Sequence, residues 1–273
     1  MQVIESHGAK IPVIGLGTMT LKDKVCVELV EAALHLGYRH LDTAQMYGNE
    51  REVGEGFRAS GLLRQDIFIT TKVWFSRLAP GDFEKSVDES LERLKLPWVD
   101  LLLIHWPNAQ IPLKQSVASL CGVKRAGLAK HIGVANFNVA MLDEATSLAT
   151  EPLACLQIET HPYLDQSKIL AAARRHGMAV VGYCPLARGK VPDDPVLQRI
   201  GRAHHKTASQ VALRFLEQHA IIPIPRTSKR ERLAENLGSL EFALSDAEMA
   251  EVGGLARPHS RVVSPPQAPA WDS

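Results

Sequence analysis

Phe68-Ile69-Thr70-Thr71-Lys72-Val73, then Pro80–Leu94, then Asp100-Leu101-Leu102-Leu103-Ile104-His105 is the stretch whose reading decides the fold. Its outer pieces are short, aliphatic or β-branched and almost continuously apolar, as strands buried on both faces are. The middle piece is an amphipathic stretch that can be helical. Strand, helix, strand in that order predicts parallel pairing, because a parallel connection needs a crossover of about a dozen residues or more. Working outward, further strands are predicted at Val13–Thr18, His40–Thr43, His131–Ala135, Cys155–Glu159, Ala179–Tyr183 and Ile221–Pro225. Helices are predicted between and after them at Asp23–Leu36, Glu50–Ala59, Leu113–Ala126, Val139–Leu148, Gln166–His176, Thr207–Gln218 and Lys229–Gly238. Eight such units imply closure into an α/β (β/α)8 TIM barrel, which typically takes about 250 residues in one domain. The chain's 273 residues fit a single domain over 1–273. An open doubly wound sheet is the alternative, but it usually has fewer units and a glycine-rich phosphate loop after its first strand.

The flanks add three features. Val3–Ile4 and Lys10–Ile11 around Ser6-His7-Gly8-Ala9 predict an N-terminal β-hairpin able to plug one barrel mouth. Ser245-Asp246-Ala247-Glu248 has the form of a capping box, which predicts an extra C-terminal helix. The proline-rich tail from Arg257 to Trp271 is expected to be a loop laid over the barrel.

Composition narrows the function classes. The chain is 45% hydrophobic and 22% charged, with 31 basic against 30 acidic side chains, so its formal net charge is only +1. Its one dense basic run, Arg226 to Arg232, is too small for the clustered charge that nucleic-acid binding needs. No segment approaches the ~18 consecutive apolar residues of a membrane span, and no signal-like N-terminus is present, so a cytoplasmic protein is expected. Cys26, Cys121, Cys155 and Cys184 are widely spaced and form no C-x-x-C pair, which leaves reduced, buried thiols as the reading. Nothing demands a partner subunit, and a monomer is expected.

Gly15-Leu16-Gly17 could open a dinucleotide fingerprint, but Thr20 stands where its third glycine should be. Glycines there are expected to permit a tight turn at the barrel mouth. Catalytic groups of such barrels gather at the C-terminal ends of the strands. The polar residues at those ends are Asp42 and Tyr47, Lys72, His105, Asn136, Gln157 and Glu159, and Tyr183. Lys72 and His105 sit inside runs otherwise fit for full burial, and a buried lysine is costly unless a carboxylate compensates it. Asp42 on the neighbouring strand is the natural partner. Taken singly these residues also fit an interior ion pair, a satisfied core histidine and a loop tyrosine. Together on adjacent strands they point to a site.

Gly37-Tyr38-Arg39-His40-Leu41-Asp42-Thr43-Ala44-Gln45-Met46-Tyr47-Gly48-Asn49-Glu50 resembles the first signature of the aldo-keto reductases. The resemblance continues through the strings around Lys72 and His105, then Gly133–Phe137, Gln157–Tyr163, Tyr183–Leu186 and Ile224–Ser228, nearly the whole chain. Its compact loops and its ending, Val262–Pro265 to Trp271-Asp272, look most like the bacterial 2,5-diketo-D-gluconate reductases, some of which reduce methylglyoxal. What the resemblance implies is NADPH-dependent reduction of aldehydes, α-dicarbonyls or keto sugars, with NADH a weaker cofactor and no metal. Tyr47 would be the general acid. Lys72, held by Asp42, would lower its pKa, and His105 would align the carbonyl oxygen. Asn136 and Gln157 would bind the nicotinamide carboxamide and Tyr183 would stack on its ring. Gly17, Thr18, Met19, Asp42, Pro185 and Leu186 would line the cofactor, and Arg226, Thr227, Ser228, Arg232, Glu235 and Asn236 would clamp its adenosine half. Met19, Tyr47, Trp74, His105 and Trp106 would face the substrate.

The chain departs from the family pattern at Ala135 and Cys184, where serines are common, at Met19, where many members have Trp, and at Arg226, where many have Lys. A guanidinium still suits a 2′-phosphate, since it donates two parallel hydrogen bonds and stays charged. Two other classes compete: a nicotinamide-binding regulatory or redox-sensor protein on the same fold, and a metal-dependent hydrolase. The latter needs clustered His and carboxylate ligands that only His105 and Glu159 approach.

Overall fold

The computed structural model describes residues 2–272. Its N-terminal hairpin pairs β1 (Val3–Ser6) with β2 (Ala9–Pro12) antiparallel, Ser6 opposite Ala9. Eight parallel strands follow in sequence order: β3 (Leu16–Gly17), β4 (His40–Asp42), β5 (Phe68–Val73), β6 (Val99–Ile104), β7 (Ala129–Ala135), β8 (Leu153–Glu159), β9 (Ala179–Tyr183) and β10 (Ile221–Pro223). The ends of this sheet meet. Gly15 N donates to Pro223 O at 3.0 Å and Gly17 N to Pro225 O at 3.1 Å, so backbone hydrogen bonds join the β3 segment to β10 and close the (β/α)8 barrel.

Around it lie α1 (Asp23–Leu36), α2 (Glu50–Ala59), α3 (Asp82–Leu94), α4 (Leu113–Arg125), α5 (Val139–Leu148), α6 (Ser167–Arg175), α7 (Pro195–Ala203), α8 (Ala208–Gln218), α9 (Glu231–Leu237) and α10 (Asp246–Gly253). Side chains at their first turns explain several of the starts: Asn138 accepts from Met141 N, Thr207 from Gln210 N and Ser245 from Glu248 N. Helix α7 was not expected. Its signal is Asp194-Pro195, where the aspartate accepts from Val196 N and Leu197 N and proline takes the first helical position.

The unbroken apolar strands resolve into two layers. Leu101, Leu103, Cys155, Val181 and Ile222 fill the barrel interior, whereas Leu102, Ile104, Val134 and Leu156 pack outward against helices. Ala9 and Ile11 of the hairpin join the inner cluster, and Ser6 Oγ donates to Ala154 O and Gly177 O, both at 2.8 Å. The hairpin thus plugs the mouth at the strands' N-terminal ends and leaves the opposite mouth open.

Two expectations need correction. Gly15 and Gly17 serve no tight turn: neither has a positive φ. A Cβ at Gly17 would lie 2.7 Å from Ile224 O, so Gly17 is glycine because the chain closes the barrel there, whereas one at Gly15 would lie 2.7 Å from His40 Nδ1, so Gly15 leaves room for that ring. Gly17→Ala is accordingly expected to cost about 1–3 kcal/mol as overpacking at the seam, seen as a lowered Tm in thermal denaturation. An unchanged Tm would mean the seam does not need that approach. The cysteines are free, but only Cys26, Cys121 and Cys155 are buried; Cys184 is half-buried.

Candidate active site

The open mouth holds a cleft of about 800 Å³. At its base β4 and β5 run side by side in parallel, with Asp42 opposite Thr70 and Lys72 two residues further on. Lys72 Nζ donates to Asp42 Oδ1 at 2.5 Å, to Thr43 O at 2.9 Å and to the Tyr47 hydroxyl at 3.4 Å. Lys72 is fully buried behind the cleft wall, whereas Asp42, 1% exposed, and Tyr47 both border the cleft. The second Asp42 oxygen accepts from Gln157 Nε2 at 2.7 Å. A carboxylate only accepts, so the Gln157 amide nitrogen must face it and the amide oxygen is directed elsewhere.

Tyr47 ends a short turn, Gln45–Tyr47, fixed from two sides. Gln45 reaches Ser86 and Ser90 with its amide nitrogen and accepts from Trp74 N at 3.0 Å with its oxygen. Lys22 Nζ donates to the carbonyls of Tyr47 and Gly48. The Tyr47 and His105 rings meet edge to face at 5.7 Å, and Trp74 stands 5.2 Å from His105.

Burial and then the Lys72 cation hold the His105 imidazole well below its usual pKa, so it is neutral at neutral pH. Its Nδ1 is buried without a partner, which leaves Nε2 as the nitrogen able to address the cleft. Burial also lowers the Lys72 ammonium from its ordinary value, opposed by Asp42. The expected lowering of the Tyr47 phenol does not hold in this geometry. Burial first, then the Asp42 charge, push it well above its ordinary value. Lys72 spends its short hydrogen bonds on Asp42 and Thr43 and meets the phenol only at 3.4 Å. The phenol therefore keeps its proton at neutral pH.

On the neighbouring strand ends, Asn136 adopts a left-handed φ of 63°, a conformation asparagine tolerates. Its Nδ2 donates to His105 O at 2.9 Å and its Oδ1 accepts from the Tyr183 hydroxyl at 2.7 Å. Tyr183 is thereby tethered by its hydroxyl. Beyond β10, Arg226 Nε donates to Met19 O at 3.2 Å, and among the described residues neither Arg226 nor Arg232 has a carboxylate partner. Glu235 accepts from Thr207 Oγ1 at 2.8 Å.

Gly17, Thr18, Met19, Asp42, Asn136, Gln157, Tyr183, Pro185, Leu186, Arg226, Thr227, Arg232, Glu235 and Asn236 all border this cleft, as do Tyr47, Trp74, His105 and Trp106. Ser228 does not. It borders a separate groove with His35 and Arg230, while the adjoining Thr227 Oγ1 accepts from Lys229 N at 2.9 Å. Sequence reasoning also missed several supports. Asn49, fully buried, donates to Thr18 O and Leu21 O and accepts from Thr43 Oγ1, tying the β3 and β4 loops together. Glu50 accepts from Thr71 Oγ1 and from Arg93. Both lie in the quoted 37–50 string, where a polar pair opening a helix was the available signal. Arg188, at φ 53°, and the tail residues Val263, Pro265 and Gln267 complete the walls.

Among the described residues no group of His, Cys, Asp and Glu could hold a metal ion, and no helix is long and apolar enough to cross a membrane.

Comparison with known proteins gives a consistent result. The sequence model of the Aldo/keto reductase family matches residues 13–257. Methylglyoxal reductase DkgB of Escherichia coli O157:H7 is 40% identical over 266 residues, covering 96% of this chain and 99% of that protein. A crystal structure assigned to 2,5-diketo-D-gluconic acid reductase B superposes with a TM-score of 0.98 at 47% identity, covering 100% of this chain and 98% of the other. The Bombyx mori aldo-keto reductase, crystallised in complex with NADP, gives a TM-score of 0.89 at 32% identity, covering 97% of this chain and 96% of that one.

Proposed function

The chain belongs to the aldo/keto reductase family and is an oxidoreductase of carbonyl groups; from that premise we propose that it reduces small aldehydes and α-dicarbonyls such as methylglyoxal, using NADPH, with Tyr47 as the general acid. The observation that carries this is Lys72, bonded to Asp42 and within reach of the Tyr47 hydroxyl, behind a cleft that Asp42, Tyr47 and His105 all border.

The cleft fits a nicotinamide dinucleotide. With its nitrogen committed to Asp42, Gln157 keeps an oxygen able to accept from a carboxamide N–H. Asn136 Oδ1, already accepting from Tyr183, retains a second lone pair. At the far end, Arg226 and Arg232 supply guanidinium groups that have no carboxylate partner among the described residues. When bound, the reduced nicotinamide supplies the hydride. The chain's residues do the rest. The Tyr47 phenol, kept protonated by burial, gives its proton to the carbonyl oxygen. Lys72 stands next to the phenolate left behind and steadies its charge, and Asp42 keeps the ammonium oriented. His105, neutral, holds the carbonyl oxygen through an Nε2 hydrogen bond. With Tyr47 protonated and His105 neutral, reduction is expected to stay level between about pH 6 and 8, since neither group then titrates near its reference value.

Loss of NADPH absorbance in the presence of methylglyoxal, phenylglyoxal, a nitrobenzaldehyde or a diketo sugar acid tests the proposal directly. Turnover supports it and ranks the substrates. Tight cofactor binding with no turnover on any of them would replace it with the regulatory or sensor reading. Preference for NADPH is attributed to Arg226, whose outer nitrogens are free to meet a 2′-phosphate. Arg226→Ala is expected to raise the Kd for NADPH about tenfold or more, the scale of a charge-assisted hydrogen bond. Fluorescence titration should show a much smaller change for NADH. Equal losses for the two cofactors would place the 2′-phosphate elsewhere.

A further inference from the structure

Glu159, the last residue of β8, is fully buried at the open mouth yet touches neither Lys72 nor Tyr47. A buried carboxylate is costly unless its lone pairs are engaged. Here three donors converge. Val262 N donates to Oε1 at 2.6 Å, Val263 N donates to Oε2 at 2.8 Å, and His161 Nε2 lies 3.0 Å from Oε1. Among the described residues no lysine or arginine pairs with it. Two of the three donors are therefore backbone groups of the C-terminal tail, more than a hundred residues away in sequence.

From this clamp the tail continues across the barrel mouth. Val263, Pro265 and Gln267 border the cleft. The Arg261 guanidinium stacks 3.7 Å from the Trp271 ring centroid, and Trp271 meets Trp106 edge-on at 6.1 Å. Asn138 Nδ2 donates to Ala270 O at 3.0 Å, and Val139 N to Asp272 Oδ2 at 2.9 Å. The tail thus spans the ends of β8, β7 and β6, whereas Arg226, Arg232 and Glu235 follow β10.

We infer that Glu159 is a positioning residue for the substrate: by clamping the N–H groups of Val262 and Val263 it seats the tail as the wall facing the carbonyl, apart from the side that holds the cofactor's adenosine half. This rests on the proposal that Tyr47 and His105 receive the carbonyl in this cleft, which Trp106 and the tail residues Val263, Pro265 and Gln267 also border. Loss of the clamp should loosen substrate binding while leaving the reacting groups and the cofactor side in place.

Glu159→Gln keeps the shape but replaces one acceptor oxygen with a donor nitrogen, which cannot accept from the opposing N–H. The Arg261–Val262 bond is a trypsin site immediately next to the clamp, so its cleavage reports how often the tail lifts. The expected result is cleavage there about tenfold faster than in the native chain, with the KM for methylglyoxal raised by a similar factor. The kcat and the Kd for NADPH should be little changed. Unaltered cleavage and unaltered KM would overturn the inference. A second measurement needs no variant: hydrogen exchange in the native chain should find the Val262 and Val263 amides protected, and exchange at the rates of free peptide would overturn the clamp outright. If the native chain turned over no carbonyl, the reductase proposal would fall, while cleavage and amide protection would still decide whether Glu159 holds the tail.

Discussion

Tyr47→Phe is expected to lower kcat for carbonyl reduction by about 10²- to 10⁴-fold, the range over which a positioned general acid acts. The substitution removes one oxygen from a ring whose backbone is held independently by Lys22 and whose turn is anchored through Gln45. The cleft's shape and the groups proposed to hold the cofactor should therefore survive, and NADPH should bind the variant nearly as it binds the native chain. Single-turnover reduction of methylglyoxal, with cofactor affinity measured in parallel, separates the two effects. Comparable turnover in the variant would remove Tyr47 from the acid role and direct attention to His105. Weakened NADPH binding with intact chemistry would instead make Tyr47 a wall of the cofactor site.

The parts of this site that were legible in the sequence are those that violate local apolar patterning. Lys72 interrupts Phe68–Val73 and His105 follows Val99–Ile104, and a charged or polar residue inside a buried run needs a reason. Helices α1, α2 and α5 begin and end at the predicted residues because their apolar faces are periodic and their ends are marked by turns or caps. The first strand shrank from Val13–Thr18 to Leu16–Gly17, since Val13 N bonds back to Gln2 O and Gly15 spends its N–H on Pro223 across the seam. Closure of that seam is a long-range event that no local pattern marks. The same holds for Glu159, recognisable beforehand as a polar strand end but not as the anchor of a tail. Ser228, next to Thr227 in sequence, borders the neighbouring groove rather than the cleft, a separation that adjacency in sequence does not mark. The direction of the Tyr47 shift could not be read from residue types either, because it depends on burial and on how Lys72 divides its hydrogen bonds.

That division makes Asp42 the residue whose loss should be felt most widely. Asp42→Ala leaves the Lys72 ammonium buried with Thr43 O as its remaining short partner, and it also orphans Gln157 Nε2. Removing one member of a buried ion pair typically costs about 3–5 kcal/mol, mostly from the charge left unpaired. Denaturant unfolding should show a loss of that size, or the lysine should shed its proton. In either case kcat should fall by about 10²-fold, because Lys72 no longer offers an oriented positive charge to the phenolate formed at Tyr47. A double variant distinguishes the pair from two independent residues. Asp42→Ala with Lys72→Met removes both charges, so its stability should lie above that of Asp42→Ala alone, a favourable coupling of the kind a mutant cycle measures. Activity should not return with stability, since the double variant has no cation beside Tyr47. If the two stability losses simply added, the 2.5 Å contact between Lys72 and Asp42 would be incidental to folding. If activity returned as well, the proton on Tyr47 would need no help from Lys72.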